Sequence, residues 1–297
     1  MDVEQKSRFT VTRSSQAVAA DQRAILLADP GFGRLFTDHM VTIRYTEGQG
    51  WHSHSVGPRE AFQLDPACAV LHYAQEIFEG MKAYRLADGS VAMFRPEENA
   101  RRFAESAERM AMPALPEALF LEAVEELVKI DADWIPQGEG SLYLRPFMFA
   151  SETFLGVRPS HEVDYYVIAS PAAAYFKGGV DPVSIWLSSH YKRAAPGGTG
   201  YAKCGGNYAA SLAAQKEAEA RGERVTALYH SHVDADAYLS AEDLTYAESP
   251  LFPFPGALQI VLSVMGDRVK DTVLFEMDPE LGLFSPGCGR LLQAQEA

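Results

Sequence analysis

The sequence predicts a two-domain α/β protein. Three observations lead there. Strand-like and helix-like segments alternate through the first two-thirds of the chain. A stretch rich in Ala, Gly and Pro at residues 172–182 reads as an interdomain connection. The 297 residues, 47% of them hydrophobic, are enough for two cores. The expected units are residues 1–171, a small α/β domain, and residues 183–297, whose pattern becomes harder to read after about residue 224.

Taken in order, the first thirty residues show weak periodicity and read as an arm that Asp29-Pro30-Gly31 ends. Strand patterns follow at residues 35–44 and 68–73. Pro96 then opens a helix with Glu97 and Glu98 in its first turn and Ala100, Phe103, Ala104, Ala107, Met110 and Ala111 at helical spacing. A second helix runs over residues 116–130. Residues 141–150 alternate as a strand, which puts Tyr143, Arg145 and Phe147 on one face, and residues 164–170 form another strand. Past the connection come a strand at residues 183–188, the turn-rich Ala195-Pro-Gly-Gly-Thr-Gly200, and a helix from about Asn207 to Arg221 stopped by Gly222. Residues 257–265 are apolar enough for a buried strand. Leu251-Phe-Pro-Phe-Pro-Gly256 reads as a loop, because two prolines cannot both sit in a central ladder.

Charge and cysteine content narrow the class of function. With 40 acidic against 26 basic residues the net charge is -14, which disfavours nucleic acid as a partner. Three widely spaced cysteines, Cys68, Cys204 and Cys288, fit a reducing compartment better than a disulfide framework. No apolar run approaches the length of a membrane span, and no basic-then-apolar pattern opens the chain. A cytoplasmic enzyme without a membrane partner is the expectation.

Two clusters could carry chemistry. In Thr199-Gly-Tyr-Ala-Lys203-Cys-Gly-Gly-Asn-Tyr208, glycines on both sides let backbone approach a ligand closely, and a helix begins just after. A lysine in a partly desolvated pocket loses pKa and becomes an amine nucleophile toward aldehydes; a solvated loop lysine is the plainer alternative. His230-Ser-His-Val-Asp-Ala-Asp236 sets two histidines and two aspartates at period two, a spacing that could hold a divalent metal on a strand. It resembles the His-x-His-x-Asp-His motif of metallo-β-lactamase-like hydrolases but lacks the last histidine. A polar surface turn is the favoured reading, and no metal is expected.

Four collinear motifs sharpen the lysine reading. Phe36-Thr-Asp-His-Met40, His72-Tyr-Ala-Gln-Glu-Ile-Phe-Glu-Gly-Met-Lys-Ala-Tyr84, Ser141-Leu-Tyr-Leu-Arg-Pro146 and Gly197-Gly-Thr-Gly-Tyr-Ala-Lys-Cys-Gly-Gly-Asn-Tyr208 closely resemble the branched-chain aminotransferases. These are fold-type IV pyridoxal-phosphate enzymes with a D-amino-acid-aminotransferase-like fold, and the resemblance covers roughly Gly31 to Gly222. It implies transfer of an amino group from leucine, isoleucine or valine to 2-oxoglutarate, with Lys203 as Schiff-base lysine and proton carrier. By the same resemblance Tyr208 would hydrogen-bond the cofactor's phenolate oxygen, while Arg102 and Arg193 would stand on the cofactor side, Arg102 at the phosphate. A one-residue slip would put Arg101 in that place. Phe32, Phe78, Tyr143 and Tyr175 fall at substrate-pocket positions, with Arg145 beside Tyr143 for a carboxylate. Tyr73 resembles a tyrosine that reaches in from the partner subunit, so a homodimer is implied.

After Gly222 the resemblance breaks up. Glu242, in Tyr238-Leu-Ser-Ala-Glu242, is nearest to the glutamate that keeps the cofactor's pyridine nitrogen protonated, and Glu248 is a second candidate. Ser285-Pro-Gly-Cys-Gly-Arg290 resembles the phosphate loop, with Cys288-Gly289 in place of an apolar-threonine pair. The family's final Gly-Thr-Ala segment has no counterpart, so the second domain is expected to be incomplete or divergent. That departure leaves open a catalytically impaired or structural homologue. A D-amino-acid aminotransferase or an aminodeoxychorismate lyase is a further alternative, which the Tyr143/Arg145 strand and the Gly-Gly-Thr-Gly loop disfavour.

Overall fold

The computed structural model describes residues 7–138, 140–173, 188, 190–220, 229–233, 259–265, 268–277 and 284–286. Contacts divide the chain into two units, one of Met1–Ala174 with Tyr191–Leu212 and one of Tyr175–His190 with Ala213–Ala297. The lysine loop therefore groups with the N-terminal unit.

That unit contains, in order, β1 (Thr10–Val11), α1 (Ala20–Ala28), β2 (His39–Thr46), β3 (Gly50–Pro58), α2 (Ala69–Tyr73), β4 (Glu76–Phe78), β5 (Met81–Arg85), β6 (Val91–Met93), α3 (Pro96–Arg109), α4 (Glu117–Ile130), β7 (Ser141–Ala150), β8 (Glu162–Ala172) and α5 (Gly205–Ala209). Its sheet runs β1-β3-β2-β8-β7-β5-β6, with β4 also pairing β7. Helix α3 buries Ala100, Phe103 and Ala107, and α4 buries Leu119, Phe120, Ala123, Val124, Leu127 and Val128. Phe103 meets Phe120 and the buried Tyr165 of β8, which joins both helices to one sheet face. Leu142, Leu144 and Met148 of β7 enter this core. The intervening Tyr143, Arg145 and Phe147 stay half-buried on the opposite side, as strand alternation requires.

Helices α3 and α4 and strand β7 agree with the sequence pattern; four other segments differ. Of residues 68–73, expected as a strand, Ala69–Tyr73 form helix α2, which ends where Ala74 turns left-handed at φ 48° and donates its N–H to the Val70 carbonyl. The ladder position on β7 goes to β4 instead, because a short apolar run carries no periodicity that separates helix from strand. The arm contains α1, which buries no residue fully and turns Leu26 and Leu27 partly against the core, too short an apolar stripe to reveal it. The strand expected from residue 35 begins at His39. Asp38 and His39 pin the arm: Asp38 accepts the Val18 N–H and the Trp134 indole N–H, while the His39 imidazole accepts the Ser14 N–H and bonds Asp131. The single helix expected at 207–221 is divided into α5 and α6 (Leu212–Ala220), with Ser211 Oγ donating to the Tyr208 carbonyl at the break.

At the end of β7, Glu152 gathers the following loop, accepting from both Nη atoms of Arg158 and from the His161 N–H. The Arg158 hydrogen bonds hold its carboxyl down at about 2, against an ordinary 4.5. A depressed folded-state pKa contributes stability that is present above the unfolded value and lost as pH falls through the folded one. Between pH 4.5 and 2, Glu152→Gln should therefore lose less stability than the unaltered chain, measured as Tm against pH.

The second unit is described in part. Strands β9 (Tyr229–Val233), β10 (Gln259–Met265), β11 (Arg268–Met277) and β12 (Phe284–Pro286) form a sheet ordered β12-β11-β10-β9. The apolar 257–265 segment thus supplies a strand, as expected. Residues 230–233, favoured as a polar turn, instead lie in β9, parallel to β10, and a parallel pair requires a crossover between them. The strand expected at residues 183–188 lies almost wholly outside the described residues. No described helix is long and apolar enough to cross a membrane.

Candidate active site

Strand β4 and the lysine loop meet beside β7. Phe78 donates its N–H to the Lys203 carbonyl at 3.0 Å, and the Glu76 carboxylate accepts the Gly205 N–H. Asn207, buried at the start of α5, ties the loop internally by donating to the carbonyls of Thr199 and Ala202. These bonds aim the Lys203 side chain along the Phe78 ring, with Nζ 5.1 Å from its centroid and 2.9 Å from the Tyr208 hydroxyl.

From there a run of contacts connects most of the residues singled out in the sequence. Phe78 packs on Tyr208 at 4.9 Å, and the Arg193 guanidinium lies over the Tyr208 ring, 4.9 Å from its centroid. Arg145 stacks on Phe78 at 4.6 Å and donates to the Tyr143 hydroxyl at 2.8 Å. Phe32 meets Tyr143 edge-on at 5.2 Å, on a loop whose Gly31 and Gly33 both have positive φ, which glycine adopts at little cost. Gly80 is required by close approach, since a Cβ there would overlap the Tyr143 phenol.

Arg102 and Tyr73 stand apart from that run. Arg102 forks onto Glu79, with Nε 2.5 Å from Oε1 and Nη2 2.9 Å from Oε2. Glu79 is fully buried and also accepts from the Gly80 N–H and the Asn99 amide. The fork fixes the arginine's direction at α3 while half its surface stays open. Arg101, the alternative, pairs with Glu98 on the exposed side of the helix. Tyr73 bonds the Leu155 carbonyl and packs on Phe154. Tyr175, Glu242, Glu248, Cys288 and Gly289 lie outside the described residues, as do the side chains of His230 and His232. Among the described residues no group of His, Cys, Asp and Glu is arranged to hold a metal.

The sequence reading passed over Glu76 and Glu79. Burial raises the Glu76 pKa, against the opposing pull of the Gly205 N–H and the Arg145 charge. The signal for both was available: a carboxylate in Glu76-Ile-Phe-Glu79, between apolar neighbours and a glycine, seldom goes without a partner. Lys82, opposite Tyr143 in the β5–β7 ladder, has its pKa lowered by burial.

This donor set suits a phosphorylated aromatic aldehyde. Lys203 offers an amine, Tyr208 a phenol for a ring oxygen, and Arg102 and Arg193 cationic charge for a phosphate. The Arg145 Nε atom is buried with no hydrogen-bond partner, a donor with capacity for an anionic ligand.

Comparison with known proteins agrees. The model of the amino-transferase class IV family matches residues 76–233, a little over half of the chain. A second model, of prokaryotic homologs of the JAB domain, matches residues 192–276 and overlaps the first. A probable branched-chain-amino-acid aminotransferase of Streptomyces coelicolor is 61% identical over 211 residues, 70% of this chain and 58% of its own length. The branched-chain-amino-acid aminotransferase of Mycolicibacterium smegmatis is 57% identical over 216 residues, 72% of this chain and 59% of its own. Branched-chain-amino-acid transaminase 1 of Bacillus subtilis is 42% identical over 241 residues, 80% and 64% respectively. The chain thus spans about three-fifths of the length of these relatives. Its match over residues 76–233, which takes in the lysine loop, gives the conclusion that the chain belongs to the class IV aminotransferases.

Proposed function

We propose that this chain is a pyridoxal-phosphate-dependent transaminase that moves the amino group of leucine, isoleucine or valine to 2-oxoglutarate, working as a homodimer in the cytoplasm. The observation that carries the reading is the contact run Lys203–Tyr208–Phe78–Arg145–Tyr143, which sets an amine, a phenol and a carboxylate-binding pair along one aromatic wall. The similar proteins of Streptomyces, Mycolicibacterium and Bacillus, which carry branched-chain names, support the choice of substrate.

When bound, pyridoxal phosphate supplies an aldehyde carbon and a ring that draws electrons from the substrate Cα. The chain's own groups do the rest. Lys203 would hold the cofactor through Nζ and, once released as a free amine by the incoming substrate amine, would move the proton at the substrate Cα, with the Tyr208 hydroxyl 2.9 Å from Nζ to orient it. Arg102, aimed by Glu79, and Arg193 supply positive charge for the phosphate. Phe32, Phe78 and Tyr143 offer an aliphatic side chain only burial, the interaction leucine, isoleucine and valine have to give. Arg145 with Tyr143 takes a carboxylate, including that of the acidic amino-group partner. The family resemblance would add Tyr175, Glu242 or Glu248, and Cys288 with Gly289 to the residues that serve substrate and cofactor. Tyr73 turns toward the second subunit.

A second reading rests on the JAB-type match at residues 192–276. If the part beyond the lysine loop belongs to another family, Lys203 would take the cofactor but the chain would not complete transamination. One experiment separates the two. The protein is loaded with pyridoxal phosphate, reduced with borohydride and mapped by peptide mass; a second sample receives leucine and 2-oxoglutarate. Label on Lys203 with glutamate formed is the expected result. Label without glutamate favours the second reading, and no label at Lys203 overturns both.

A further inference from the structure

Three residues of helix α3 bond the lysine loop. Arg102, Glu105, Ser106 and Arg109 stand at i, i+3, i+4 and i+7, one stripe along the helix. Ser106, 1% exposed, accepts the Lys203 N–H on its Oγ at 3.0 Å. Glu105 accepts the Tyr201 hydroxyl at 2.9 Å, and Arg109 Nη2 donates to the carbonyls of Gly197 at 2.9 Å and Gly198 at 2.7 Å. Together with Phe78, which holds the Lys203 carbonyl, the lysine's two backbone groups are each bonded to an element outside its own loop.

We propose that α3 sets the distance between the phosphate-binding arginine and the reactive amine, with Ser106 as the positioning residue for Lys203. The inference rests on the cofactor reading above. Its physical basis is that a helix is the stiffest spacer available at this length: four residues from Arg102 to Ser106 amount to a rise of about 6 Å that does not vary with loop motion. An amine presented from a fixed peptide needs little reorganisation to reach a carbonyl carbon whose phosphate is held one turn away. A serine among the buried apolar positions Phe103 and Ala107 has no packing advantage over alanine, so its hydroxyl is there to be used.

The test compares Ser106→Ala, Ser106→Thr and the unaltered protein in three measurements. These are the rate of covalent attachment of pyridoxal phosphate, the affinity for pyridoxamine phosphate, which needs no lysine bond, and amide hydrogen exchange over residues 199–205 without cofactor. Ser106→Ala should slow attachment roughly 10- to 100-fold, since small misplacements of a reacting group cost that much. Pyridoxamine phosphate affinity should stay within about threefold, exchange in the loop should rise, and Ser106→Thr should restore the rate to within about threefold. An unchanged attachment rate overturns the proposal. So does a loss of rate matched by an equal loss of pyridoxamine phosphate affinity, which is what a general loosening of the unit would give. If Ser106→Ala does not fold, Arg109→Met serves with the same criteria, because it frees the Gly197 and Gly198 carbonyls at the surface. Lys203→Ala is the control: if it still takes up borohydride-fixed cofactor, the cofactor reading fails and this one with it, whereas loss of label there and no effect at Ser106 defeats this proposal alone.

Discussion

Lys203→Ala should leave a folded protein that forms no reducible link to pyridoxal phosphate and exchanges amino groups at least about a thousandfold more slowly, because nucleophile and proton carrier go together. The side chain lies on the Phe78 and Tyr208 rings and makes one hydrogen bond, to the Tyr208 hydroxyl, so its loss removes little packing. The backbone bonds to Ser106 and Phe78 do not depend on the side chain and should persist. The signature of the variant is therefore an intact Tm with no lysine-dependent visible band. Added methylamine, a small external base, should recover part of the amino transfer. Full activity without the lysine would remove Lys203 from the chemistry and return it to the role of a loop residue.

Glu79→Leu should have the largest effect on stability. The carboxylate is fully buried and accepts from Arg102 twice, from Asn99 and from the Gly80 N–H. Leucine fills a similar volume but leaves those donors without an acceptor. Arg102 is 53% exposed and can turn to water, so the full cost of stranding a buried charge does not apply. The Asn99 amide and the Gly80 amide recover less. The net loss should be about 2–4 kcal/mol, read from urea unfolding. Glu79→Gln should lose less, because the amide oxygen still accepts one bond. In both variants Arg102 loses the two-point fork that aims it, and pyridoxamine phosphate should bind about tenfold more weakly, the order of one charge-assisted hydrogen bond. A stability loss with unchanged phosphate binding would mean that Arg102 serves the fold and not the cofactor.

The contrast between α3 and α2 explains which parts of the fold were legible. Helix α3 has fourteen residues, Pro96 at its first turn and an apolar stripe, so its pattern repeats often enough to be read. Helix α2 has five residues, and over one turn an apolar run has no period at all. Strand β3 escaped for another reason: Gly50–Pro58 is rich in His, Ser and Gly, and it becomes a strand because β1 and β2 pair with it on either side.

What the sequence determined by itself is local and chemical: the lysine between glycines, the Tyr143/Arg145 alternation on β7, and the motifs that place the chain in its family. Only the tertiary structure decided how those groups are held. Ser106 lies 97 residues from the lysine it supports, Glu76 is 129 residues from the Gly205 amide it accepts, and Glu79 meets Arg102 from a different element. A hydrogen bond between residues so far apart leaves no spacing in the sequence to read. It exists because β4, α3 and the lysine loop are brought together by packing on β7 and β8.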